Sequence, residues 1–122
     1  MIRLDQGFRT EYNEAEAQAA NQLSRSFLAW FAENLVAGIP PEHPDTQTLA
    51  QRYRKEYIDE YLFPCTPPQI YALGLSIAVD PNKRKVCEDY QEGLADYLSQ
   101  ALIAYYEAWK RDLTQQDCLQ SR

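Results

Sequence analysis

The chain has 122 residues, 45% of them apolar, and a net charge of −6; this length supports one core burying roughly two-thirds of the unfolded surface and leaves no room for a second domain. Its basic residues are scattered apart from the short run Lys83-Arg84-Lys85, which excludes the positive stripe that a phosphate backbone requires, so nucleic acid is not expected as a direct partner. No stretch approaches the roughly 18 apolar residues of a membrane span, and Cys65, Cys87 and Cys118 lie far apart, as suits reduced thiols; a cytoplasmic protein that meets no membrane is expected.

From about Thr10 to Ala37 there is neither Gly nor Pro, and Leu23, Phe27, Trp30, Phe31 and Leu35 recur at three- and four-residue steps, the stripe of an amphipathic helix. Gly38 ends it. Ile39-Pro40-Pro41-Glu42-His43-Pro44 reads as an extended turn, because each proline removes a donor and disfavours helix in the residue before it. Asp45 is the expected cap of the next helix, in which Tyr53, Tyr57 and Tyr61 follow Leu49 at four-residue spacing until Pro64 stops it.

Thr66-Pro67-Pro68-Gln69 has the form of a capping box with proline at the first helical position, and a short apolar helix to about Val79 should follow. Asp80-Pro81 repeats the signal for a brief basic turn through about Cys87. The last helix is expected over about Gln91 to Leu113, with Leu94, Leu98, Ala101, Leu102, Tyr105 and Trp109 as its stripe. Period-two alternation is missing, so the expected class is all-α, one domain over residues 1–122 with about four to six helices. The first ten residues and the tail after Thr114 are polar enough to fray.

Catalytic residues do not converge. The one histidine, His43, sits in the inter-helix turn, a poor position for activating a nucleophile or ligating haem, and no cofactor is expected. Cys65 lies just before the Thr66 cap, where a helix N-terminus lowers a thiol pKa, yet a buried small hydrophobe is the simpler reading. Glu88, Asp89, Glu92 and Asp96 share helix faces but have no Glu-x-x-His companion, so a solvated face is expected and a metal is not.

The aromatics carry the most information. Nine tyrosines and two tryptophans exceed what a leucine-rich core uses, and buried phenols need partners. An aromatic cleft with a few polar tips is the usual make-up of a site for apolar or heterocyclic ligands. The expected ligand-binding residues are Trp30, Tyr53, Tyr57, Tyr61, Tyr71, Tyr105 and Trp109, in one cleft between the Tyr53-Tyr57-Tyr61 helix, the Tyr71 helix and the end of the last helix.

Several segments are similar in order and spacing to one family. Gly38-Ile39-Pro40, Leu49-Ala50-Gln51-Arg52-Tyr53-Arg54, Tyr61-Leu62-Phe63-Pro64-Cys65-Thr66, Tyr71-Ala72-Leu73-Gly74 and Glu92-Gly93-Leu94-Ala95-Asp96-Tyr97-Leu98 resemble the TipAS antibiotic-recognition domain of MerR-type regulators, over about residues 20–107. The resemblance implies a globin-like helical fold without haem and a cleft for bulky antibiotics such as thiopeptides. The helix-turn-helix and coiled-coil segments that precede this domain in typical members are missing, so a free-standing module is expected. Where the thiopeptide-binding member carries a drug-capturing cysteine this chain has Ala72, and the family's histidine in that helix is Tyr71; the earlier cysteine is kept as Cys65. The reading is therefore a non-enzymatic module that holds a bulky amphipathic or aromatic small molecule, an antibiotic among the candidates, without a covalent bond. The alternative is an interaction protein whose aromatic surface is a homodimer or partner interface.

Overall fold

A computed structural model describes residues 13–120, with side chains described through residue 113. Five α-helices follow in order: α1 (Glu14–Val36), α2 (Pro44–Arg52), α3 (Pro67–Val79), α4 (Pro81–Tyr90) and α5 (Leu94–Gln120). Between α2 and α3, α2 continues directly into a π-helical stretch, Tyr53–Leu62. No strand occurs among the described residues, and the fold is all-α. The expected start at Thr10 and the fraying of the first ten residues fall outside the described residues.

Local chemistry sets most of the boundaries. Asn13 Oδ1 accepts from the Glu16 backbone N–H at 2.7 Å while Glu16 Oε1 accepts from the Asn13 N–H at 3.2 Å, a reciprocal cap on α1. Gly38 ends α1 at φ +79°, a left-handed position that glycine takes without steric cost. The cap of α2 is His43, not Asp45: its Nδ1 accepts from the Asp45 N–H at 3.0 Å with Pro44 at the first helical position, because the proline fixes the helix start one residue earlier. His43 thus lies at a helix start near the surface. Thr66 donates its N–H to Gln69 Oε1 at 2.8 Å, as the capping-box pattern predicts.

Two further elements, α4 and α5, depart from expectation. Residues after Asp80 form a full ten-residue helix rather than a brief turn, since Asp80 Oδ1 caps Asn82 N–H at 2.9 Å. The last helix begins at Leu94, because Gly93 at φ +87° breaks the chain there, and it continues to Gln120 past the expected end at Leu113. Glu88 covers that start, its carboxylate accepting from the Gly93 and Ala95 N–H groups at 2.9 and 3.0 Å.

The core gathers around α5. Leu94, Leu98, Ala101 and Leu102 are buried against Phe27 and Phe31 of α1, Leu49 and Ala50 of α2, and Ile70 and Ile77 of α3. Helices α3 and α5 approach closely at Gly74: a methyl group there would meet Ser99 O at 3.1 Å, Ile103 Cγ1 at 3.2 Å and Leu102 Cβ at 3.3 Å. Ser99 Oγ donates back to Gly74 O at 2.7 Å in the same buried contact. A second buried connection ties the proline turn down. Asn34 Nδ2 donates to Thr46 Oγ1 at 3.3 Å, Thr46 meets Tyr97 OH at 3.0 Å, and that hydroxyl donates to Ile39 O at 2.6 Å. The last donation leaves the phenol oxygen as acceptor for Thr46, so the chain runs in one direction.

No single described helix is long and apolar enough to cross a membrane. Helix α3 turns 92° from the α2 and π-helical run, and it buries Ile70, Gly74 and Ile77.

Two predictions follow from this packing. Gly74→Ala gains about 1 kcal/mol of helix propensity, but its methyl presses on a helical carbonyl that cannot retreat, at an overpacking cost of about 1–3 kcal/mol; a net loss of about 1 kcal/mol and a melting temperature several degrees lower are expected by calorimetry. The second concerns pH. Glu88 is held below its ordinary pKa first by the Gly93 N–H and then by that of Ala95, and Asp96 by its hydrogen bond from Arg84. A depressed folded-state pKa means that the unfolded chain takes up protons first as pH falls. The stabilisation is thus complete above the ordinary carboxylate range and drains as pH drops through the lowered values; Glu88→Gln should flatten that acid limb in melting curves recorded from pH 7 to pH 3.

Candidate functional site

The π-helical stretch decides where the tyrosines go. Its closing bond runs from Phe63 N–H to Ile58 O at 3.0 Å, a span of five residues. Its buried residues are Tyr53 and Ile58, also five apart, with Phe63 packed on the core after a further five. In an α-helix such positions diverge by about 140°, so a wider turn is what brings them onto one face. Tyr57 and Tyr61 are correspondingly left partly exposed.

Tyr53 is a core residue. Phe27 and Phe31 meet its ring edge-on at 5.4 and 5.9 Å, Tyr57 tilts against it at 5.5 Å, and burial pushes its phenol pKa far up. Trp30 packs edge-on against Phe27 at 5.1 Å beneath the Arg52 guanidinium, 5.0 Å from its ring centre. Tyr57 lines a small recess of about 190 Å³ with Ala17, Ala20, Asn21 and Leu62. Tyr71 pairs with Tyr106 at 4.8 Å, and Tyr106 with Trp109 at 5.8 Å, a short aromatic row joining α3 to α5.

Tyr105 and Trp109, one helical turn apart on α5, form a wall of an open groove of about 430 Å³. The facing wall is polar and comes from α2: Gln47, Thr48 and Gln51, with Pro44 at one end and Asp112 at the other. Tyr105 is held from behind. Arg54 donates Nε–H to its hydroxyl at 3.0 Å, lies 5.8 Å from its ring centre, and donates from Nη1 to the Cys65 carbonyl. Of the seven aromatics expected at the site, this groove brings together Tyr105 and Trp109; Tyr71 reaches Trp109 through Tyr106, Tyr53, Trp30 and Tyr57 belong to the cluster around Phe27, and Tyr61 lies partly exposed on the π-helical stretch, outside the groove.

Sequence reasoning missed Gln47, Thr48, Gln51 and Arg54. Gln47 and Gln51 do stand four apart on α2, off the stripe that carries Leu49 and Tyr53 to the core. Only the fold shows that they face Tyr105.

Cys65, Cys87 and three of the four acidic residues singled out around the start of α5 are committed elsewhere. Cys65 is buried, and desolvation raises its thiol pKa to about 11 despite the nearby Arg54, so the Thr66 helix start does not activate it. Burial also pushes the Cys87 thiol up. Asp89 pairs with Lys85 at 2.9 Å and Asp96 with Arg84 at 2.8 Å, while Glu88 caps α5. Among the described residues no group of three or more His, Cys, Asp or Glu side chains is arranged to hold a metal ion.

A second groove, of about 410 Å³, lies between the C-terminal ends of α1 and α4. Ala29, Ala32, Val36, Ala37 and Tyr90 make it apolar, with Glu33 and Gln91 beside them. Val36 and Tyr90 stand 70% and 48% exposed there.

Compared with known proteins, the chain matches the model of one family over residues 6–105, beginning earlier than the segments from residue 20 onward that carry the sequence resemblance. Neither a curated protein nor a solved structure matches it. The matched span includes α1 through α4 and the part of α5 that carries Tyr105. The chain belongs to the TipAS antibiotic-recognition domain family.

Proposed function

We propose that the chain binds a bulky, ring-bearing amphipathic molecule, a thiopeptide-like or other antibiotic, reversibly in the α2–α5 groove, and that it acts as a binder rather than an enzyme. Membership of the family supports recognition of a small molecule in general. The observation that carries the location is the pairing of an aromatic wall, Tyr105 and Trp109, with a polar wall of amides and a hydroxyl. Flat rings stack on the first while the second fixes orientation. At about 430 Å³ the groove accepts one or two rings of a large ligand, the rest remaining over the surface.

Reversibility rests on the thiols. Thiopeptides carry dehydroalanines, and a thiolate adds to such an alkene with the proton delivered to the adjacent carbon. Ala72 supplies no nucleophile, and Cys65 is buried with a thiol pKa raised to about 11, leaving little thiolate at neutral pH. Capture without a covalent bond makes release, and hence sensing or buffering of the drug, a matter of concentration.

The second reading, a homodimer or partner interface, is favoured by the apolar α1–α4 groove with exposed Val36 and Tyr90. The two readings use different faces of the molecule. Tyr90→Ser would weaken self-association while leaving ligand binding unchanged, and sedimentation equilibrium over a hundredfold range of concentration separates them.

Binding predictions follow for a panel of thiopeptides and planar aromatic drugs. A ligand should raise the melting temperature in proportion to the logarithm of its concentration. Tyr105→Ala and Trp109→Ala should each weaken it about tenfold, as expected for aromatic anchors, whereas Tyr71→Phe should change it less than threefold. Intact mass under denaturing conditions, measured on a Cys118→Ser background, should show no adduct with a dehydroalanine-bearing thiopeptide. An adduct lost in Cys65→Ser would contradict the reversible mode.

A further inference from the structure

Among the described residues, Gln47 Oε1 is the buried side-chain oxygen without a hydrogen-bond partner, and Gln47 stands in the polar wall of the α2–α5 groove. Its orientation is chemically determined. The other end of the same amide meets two carbonyl oxygens, Pro41 O at 2.8 Å and Ala101 O at 3.1 Å. Two acceptors demand the NH₂ group, so the end left over is an oxygen, and exchanging the two would set an acceptor against both carbonyls. An unpaired buried acceptor lowers stability until a donor reaches it.

The rest of the wall agrees in sign. Among the described residues the groove is lined by Thr48, Gln51, Tyr105 and Asp112 with no Lys, Arg or His, on a chain of net charge −6. The nearest guanidinium, Arg54, stands behind Tyr105 and is committed to its hydroxyl and to the Cys65 carbonyl, so an anion gains no cationic partner from the described lining and meets the Asp112 carboxylate.

We propose, on the reading that this groove is the binding surface, that Gln47 is its specificity-determining residue and that the groove selects neutral or cationic ring-bearing ligands presenting an N–H donor, as a primary or secondary amide or an ammonium group. Oε1 is closed off from solvent, so the donor reaches it by parting the side chains of the groove wall while the ring settles on Tyr105 and Trp109. The energetic consequence is a preference for donors over otherwise identical acceptors. Pairing the orphan oxygen is expected to favour the donor-bearing ligand about tenfold.

The test uses four naphthalene probes that share one ring: 1-naphthaleneacetamide, its N,N-dimethyl amide, 1-naphthylmethylamine and 1-naphthaleneacetate. Each is titrated into ¹⁵N-labelled protein while the Trp109 indole and Gln47 side-chain amide signals are followed. The primary amide and the ammonium probe should shift both sets of signals. The dimethyl amide, equal in charge but with no N–H, should bind about tenfold more weakly, and the carboxylate more weakly still. In Gln47→Met the ratio between the two amides should fall to near one. Should that variant not fold, the ratio in the natural protein decides alone. Equal affinity for the two amides, with Trp109 responding to both, overturns the role of Gln47 and leaves the groove intact; no response of Trp109 to any probe removes the groove and the proposal together.

Discussion

The arrangement depends on how closely α3 can lie against α5. At Gly74 the missing side chain lets the two backbones approach until Ser99 O and Leu102 Cβ occupy the space a methyl group would need, and Ser99 Oγ clips the Gly74 carbonyl in the same contact. Ser99 and Leu102 are buried residues of α5, so this crossing fixes the azimuth of that helix about its own axis. One and two turns onward, the same azimuth determines that Tyr105 and Trp109 emerge toward α2. The groove is thus a consequence of the core, since Leu94, Leu98 and Ala101 turn inward on the same helix.

The π-helical stretch links this frame to the aromatic wall. Ile58 is drawn into the core five residues after Tyr53, and the wider turn leaves Arg54 between Tyr105 and the Cys65 carbonyl. Asp59 holds the same corner from the other side, its carboxylate accepting from the Cys65 N–H at 2.8 Å. Arg54 therefore connects three elements, and its planar fork permits this in a way lysine would not. Exposed pairs such as Arg52–Glu56 at 3.0 Å and Lys85–Asp89 at 2.9 Å contribute little beside it.

What was legible in the sequence is what acts locally. Gly38, Thr66-Pro67-Pro68-Gln69 and Asp80-Pro81 mark helix ends through backbone sterics and caps, which need no tertiary partner, and the α5 stripe from Leu94 to Leu102 follows from period alone. Family segments were equally readable, because they contain those same glycines and caps. The π register was not: tyrosines at steps of four imitate an α-helix, and only the burial of Ile58 selects the other spacing. The site divided for a related reason. Aromatic residues signal apolar area without saying which face receives them, so Tyr53 went to the core and Trp30 under Arg52, while Gln47 acquired its orientation from Ala101, 54 residues away in sequence.

On the proposed function, ligand sits against Trp109 and not against the Trp30 cluster. Protein labelled with 5-fluorotryptophan reports each indole by its own ¹⁹F resonance, assigned by a Trp30→Phe variant. Titration with an antibiotic that raises the melting temperature should move the Trp109 signal progressively and leave that of Trp30 within its linewidth. Movement of Trp30 with Trp109 unchanged would place the ligand at the opposite cluster and contradict the assignment of the α2–α5 groove.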